Sequence, residues 1–239
     1  MTTYALYLES GPQHRKTMVH VLDLLGCVAV GPTTEEALAA APEAIRLYRR
    51  FLNRHGERHN PDAPFTTTAA EHITAGMWLG NGSPYLMFGP DFEPVSEKEI
   101  GIYLKRFHWL RGALAAWAET RTAKQLDALP KGGGRTARAI LLHALGPTGG
   151  YLSAALGSAP GFFALHGAAE RGEIGLPEAL RRSAPMAEER VRATTPAERS
   201  AVIKRPRELR TLRKALRRML EHDWEHLAEL SRRPGGPRL

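Results

Sequence analysis

Cysteine is all but missing from this chain: Cys27 is the only one among 239 residues. That excludes an internal disulfide and suits a reducing compartment. No apolar run reaches the roughly 20 residues that a membrane-spanning helix needs. The N-terminus lacks the charged segment, apolar stretch and cleavage site of a signal peptide. No basic stretch is interleaved with aromatics, as a single-strand nucleic-acid groove requires. There is no internal repeat, no long low-complexity tract, and no Ser-His-Asp or paired-carboxylate arrangement. These absences predict a cytoplasmic protein, without membrane association, for which nucleic acid is a disfavoured partner.

What is present is a chain with 43% hydrophobic residues, enough to bury a proper core. The net charge is +8, which could favour an anionic partner. Much of the excess is Arg interleaved with Glu, as in Arg207-Glu208-Leu209-Arg210, the pattern of a solvated helix face.

The chain changes character near residues 90–96. Before it, residues 4–9 and 16–22 read as a hairpin about Gly11-Pro12, and Gly26–Val30 as a third strand. Thr33 with Glu36 forms a capping box, and a helical stripe follows from Ala37 to about Leu52, through Pro42. Phe65–Thr68 reads as a strand. The pieces Met77–Leu79 and Tyr85–Phe88 suggest short strands among Gly, Asn and Pro. After it, Ser96 and Glu99 form a second capping box. Helices are expected at 97–119, 135–157, 176–193 and 207–231, which makes a four-helix bundle. The fold class is therefore an α+β domain over 1–93 followed by an all-α bundle over 94–239.

The residues most suggestive of chemistry lie in the last helix. His222 and His226 are four apart, so one helix face presents both imidazoles to a single point. That is how a helix offers two nitrogens to one metal ion, and His143 is the best third candidate. The pair should lie on the flank of the apolar stripe, where solvent reaches a cleft between helices. Three neutral imidazoles would leave positions open for water or substrate. Pro147 should kink or end the helix that carries His143. A kink would open a cavity; a helix end would leave His143 structural. Asp223 falls in the apolar stripe and needs a partner: a ligand His, an Arg or a backbone group. Otherwise it is half-exposed near a helix end. Cys27, His108, the His55/His59 pair and the loop Lys131–Gly134 are lesser candidates, each with a plainer structural reading.

Two stretches resemble known families. Leu22-Asp23-Leu24-Leu25-Gly26-Cys27 through Gly31-Pro32-Thr33-Thr34-Glu35-Glu36-Ala37-Leu38 to Glu43-Ala44-Ile45 resembles the HicB-like family, with Leu25 at a position usually Pro. The resemblance implies a small α+β fold like a truncated RNase H and, for antitoxin members, a protein partner. No DNA-binding tail of the usual kind is evident. The second half, on Leu212–Leu216, Met219–His226 and His143, resembles the DinB-like (YfiT-like) four-helix bundles. That resemblance implies a divalent metal (Zn, Ni, Fe or Mn) on His143, His222 and His226. For some members it implies transfer chemistry with a low-molecular-weight thiol such as mycothiol or bacillithiol. Pro147-Thr148-Gly149-Gly150 departs from the unbroken helix expected there. The first expectation is therefore a metal-dependent, thiol-using transferase or hydrolase acting on a small electrophile, with a homodimer plausible. The second is a non-catalytic protein whose HicB-like part binds a protein or nucleic acid.

Overall fold

The computed structural model describes residues 1–11, 15–206 and 208–239. It is mixed α+β: a four-stranded sheet followed by a largely helical region. Strands β1 (Thr2–Gly11) and β2 (Lys16–Val21) form the expected hairpin, whose turn falls partly on residues 12–14, outside the described residues. β3 (Cys27–Gly31) pairs antiparallel with β2. The stretch expected as a strand at Phe65 runs on to Ile73 as β4, parallel to β1, giving the order β3-β2-β1-β4.

Helix α1 (Thr34–Arg54) begins at the predicted capping box and runs through Pro42 without a break. It packs on β2 and β3. Gly26 is required before it. Its φ is +102°, and a Cβ there would come within 2.3 Å of the Tyr48 hydroxyl. That hydroxyl donates to the Leu25 carbonyl at 2.6 Å.

Residues 74–96 correct the expectation of short strands. They are irregular, with one 3-10 turn at Gly89–Phe92. Their polar backbone is used elsewhere: the Pro84 carbonyl accepts from Arg210 and Lys214, and Asp91 pairs with Arg217. Pairing with the last helix replaces strand pairing.

From Ser96 onward eight helices appear among the described residues rather than four. α2 (Glu97–Glu119) and α7 (Leu176–Arg192) match their expected ranges, and α2 has the predicted box. α3 (Ala123–Asp127), α6 (Phe162–Glu170) and α8 (Pro196–Ser200) are short additions. The helix expected at 135–157 is α4 (Ala137–Leu145) and α5 (Pro147–Leu156) joined at Gly146, which has helical angles of −62° and −52°. Pro147 thus stands at the first position of a new helical turn, where its missing N–H costs least. The last helix starts later than expected. Residues 203–210 hold a two-stranded hairpin, β5 (Ile203–Arg205) and β6 (Glu208–Arg210), and α9 (Leu212–Ser231) follows. Thr211 caps it, accepting from Lys214 N at 3.2 Å. A pair of short antiparallel strands and an N-cap override the helical period upstream.

One hydrophobic core runs through both parts of the chain. Trp224 of α9 is its hinge pin, 4.7 Å from Tyr48 and 5.3 Å from Phe51 of α1 between ring centroids. The segment Ala137–Leu156, with mean hydropathy 1.2, is long and apolar enough to cross a membrane by length and composition, contrary to expectation. Here 44% of it is buried inside the fold, and both its halves pack on α9.

Candidate metal centre

α9 is polar and buried at once, and two separate clusters account for this. The first lies in its N-terminal half. Arg217 grips Asp91 with two bonds of 2.8 Å. It also donates to Glu221 at 2.8 Å, as does Arg218. Glu221 further meets His20 Nδ1 at 2.9 Å, and the opposite nitrogen of that ring lies 3.5 Å from Glu9. Burial alone would push His20 down, but the Glu221 carboxylate outweighs it and holds the imidazole above its ordinary value. These charges are buried as partners, and they bind the sheet to the bundle.

The second cluster is the expected triad. His222 and His226 project from α9 and His143 from α4, and their nearest ligand atoms all lie within 4.8 Å of one another. The Nε2 atoms of His143 and His222 are 3.3 Å apart, and those of His222 and His226 are 3.2 Å apart. Three nitrogens bound to one ion at 2.0–2.1 Å in tetrahedral directions are separated by roughly 3.3 Å. Two of the three separations match that value, and the third pair lies within 4.8 Å.

Proton counting supports the same fit. His226 Nδ1 faces Glu229 at 3.0 Å. A carboxylate accepts, so Nδ1 carries the proton and the Nε2 lone pair points at the other rings. A neutral imidazole has one N–H, so His222 Nε2 cannot satisfy both neighbours through hydrogen bonds. Added protons are opposed as well. Burial, then His226 and Arg218, drive His222 well below its ordinary value. Burial, then His226, lowers His143 to about 4. The three histidines are close enough to hold a metal ion.

The setting is less open than the sequence suggests. His222 and His226 are buried rather than flanking the core, and solvent reaches the centre at His143, which is exposed. The ring of Tyr151, in α5, lies 6.2 Å from that of His222. Glu229 accepts from Arg135 at 2.7 Å, so the carboxylate behind His226 is itself fixed. Arg135 and Glu229 also border a cavity of 660 Å3 between β3, α1 and α9. The three histidines do not line it, so it meets the centre only through that pair.

Asp223 does find an Arg. Arg111 of α2 holds it through bonds of 2.6 and 3.0 Å. Burial pushes Asp223 up to about 6, with Arg111 pulling the other way. The same guanidinium donates to the Ala144 carbonyl at 2.8 Å and the Thr148 hydroxyl at 2.7 Å. It thereby ties α2, the α4–α5 junction and α9 together one residue from His222 and His143.

The lesser candidates are placed apart. Cys27 is buried, and burial raises its thiol. His108 pairs with Glu188, His59 with Glu57, and His55 stacks on Trp109. Lys131–Gly134 is an exposed loop. Arg111, Arg135 and Glu229 escaped sequence reasoning. Only Glu229 had a local signal, three residues beyond His226 on the same face.

No protein-family model matches this chain, and neither a curated protein nor a solved structure matches it.

Proposed function

We propose that this protein is a DinB-like metal-dependent enzyme, with a divalent ion held by His143, His222 and His226. The observation that carries this reading is the pair of Nε2 contacts at 3.2 and 3.3 Å, too many acceptors for the protons available. All three ligands come from one chain, so the centre needs no partner subunit. A bound Zn, Ni, Fe or Mn ion would act as a Lewis acid, lowering the pKa of a water or thiol at its open position. The chain's own residues do the rest. Glu229 holds the His226 tautomer, and Arg135 holds Glu229. Arg111 and Asp223 fix the spacing of α9 from the α4–α5 junction. Exposed His143 marks the side from which a small molecule arrives. In this reading the reaction is transfer of a low-molecular-weight thiol to a small electrophile. The HicB-like N-terminal part serves as the wall that buries α9.

The test is metal content by mass spectrometry on untagged protein, beside a His222→Ala/His226→Ala variant. About one ion per chain, lost in the variant, supports the centre and justifies screening thiol transfer. Metal-free protein that stays so after incubation with Zn, Ni, Mn or Fe(II) sinks it. One observation favours the non-catalytic alternative: among the described residues β4 pairs only with β1, and it is largely exposed. An open strand edge suits an added strand from a protein partner.

A further inference from the structure

Lys214, Arg218, His222 and His226 recur every four residues on α9 and so share one face. The last two are the candidate ligands. The first two are cations, each only 2% exposed. Tyr151 and Ala155 of α5, also four apart, stand against them. Between the helices lies a cavity of 10 Å3, lined by these side chains with Arg210 and Thr211. That is about the room of one water-sized sphere.

The wall is rich in donors and short of acceptors. The Lys214 ammonium donates to a neutral partner, the Pro84 carbonyl, at 2.6 Å, and Arg210 Nη1 shares that oxygen at 2.6 Å. The Nε–H groups of Arg210 and Arg218 are buried and have no acceptor among the described residues. Nearby carboxylates are engaged: Asp91 by Arg217, Glu208 by Arg210, and Glu221 by Arg217, Arg218 and His20. Burial, then Arg217 and Arg210, lowers Lys214 to about 7. Gly82 closes the far side of the guanidinium; its φ is +72°, and a Cβ would come within 2.2 Å of Arg218 Nη2. Buried donors left unmet are costly, and so is a buried cation without a counter-charge.

We propose that this cavity binds one monovalent anion of halide size, accepting from the Nε–H groups of Arg210 and Arg218 and facing the Lys214 ammonium. Water would meet the donors but not the charge. A carboxylate is too large for the space. The site uses no histidine, so it stands or falls separately from the metal reading.

The test uses full-length, metal-free protein in sodium chloride, bromide, acetate or gluconate at matched ionic strength. Chloride and bromide should raise Tm saturably over gluconate, by on the order of 3 °C for a chain of this size. Acetate should not. Crystals soaked in bromide should show an anomalous peak between Arg210 and Arg218. Lys214→Met should lose the halide-specific rise while keeping the circular dichroism spectrum of the natural protein. If that variant does not fold, the bromide peak in the natural protein decides. Equal Tm in chloride and gluconate with no peak, or acetate stabilising as well as chloride, overturns the proposal.

Discussion

In the N-terminal half of α9, Arg217, Arg218 and Glu221 are buried with opposite charges against them. In its C-terminal half, His222 and His226 are buried chiefly with each other and with His143. The two clusters sit on one helix, at similar depth, and differ in completeness. The first is more nearly closed: Asp91 and Glu221 answer Arg217 and Arg218, leaving only Arg218 Nε and His20 Nε2 without a partner among the described residues. The second is open: its rings converge without the protons to satisfy them. The first network ties the sheet to the last helix, whereas the second brings three imidazoles close enough to hold a metal ion. The comparison also separates two kinds of fragility. The first cluster should fail by unfolding, the second by losing a ligand.

The largest effect expected is on the closed cluster. Asp91→Ala would take from buried Arg217 one of its two carboxylates and should cost about 3–5 kcal/mol in urea unfolding. Asp91→Leu with Arg217→Met should recover most of that, since apolar groups can replace a buried pair. An Asp91→Ala variant as stable as the natural protein would show that the network is not needed for stability.

The open cluster should respond to metal instead. At a free zinc concentration about 100 times Kd, binding should add about 2.7 kcal/mol, which calorimetry would read as a higher Tm. His222→Ala should remove that response. A zinc-induced rise that persists in the variant would place the ion elsewhere.

Glu229 tests the support behind the ligands. Glu229→Gln should weaken metal affinity by about 10–100-fold, as loss of a group orienting a ligand His does. Titration against a chelating dye would measure it; unchanged affinity would leave Glu229 a surface partner of Arg135.

The smallest effect expected is in acid, and it sharpens the contrast between groups held neutral and groups held charged. Without metal, His143 titrates in the fold near 4 rather than its ordinary 6.5. Between those values the unfolded chain binds the extra proton, so stability falls as pH drops from 6.5 to 4. Glu57 is held charged: burial pushes it up, but hydrogen bonds from His59 and Arg106 outweigh that and lower it to about 2. Its contribution is present above about 4.5 and lost as pH falls toward 2. Denaturation midpoints across this range should decline in both windows, and His143→Gln should lessen the decline in the upper one alone, where His222 also contributes.

Much of this was legible in one dimension. The capping boxes at Thr33 and Ser96 announced α1 and α2 because an N-cap is a contact between residues three apart. The His222–His226 pair was legible for the same reason: i,i+4 spacing on a helix is itself a geometry. The segment 74–96 was not, because its order comes from carbonyls and carboxylates answered by β6 and α9 more than 100 residues away. Pro147 marked the break between α4 and α5, as expected, because a proline favours the first position of a helical segment.

The sequence by itself determined where the helices with strong caps begin, which strands form the hairpin, and that two imidazoles share a face. Those follow from local periodicity and short-range hydrogen bonds. Only the tertiary structure decided that His143 meets His222 at 3.3 Å and that Asp223 belongs to Arg111. Each of these joins α9 to another helix and depends on how the helices pack rather than on residue spacing.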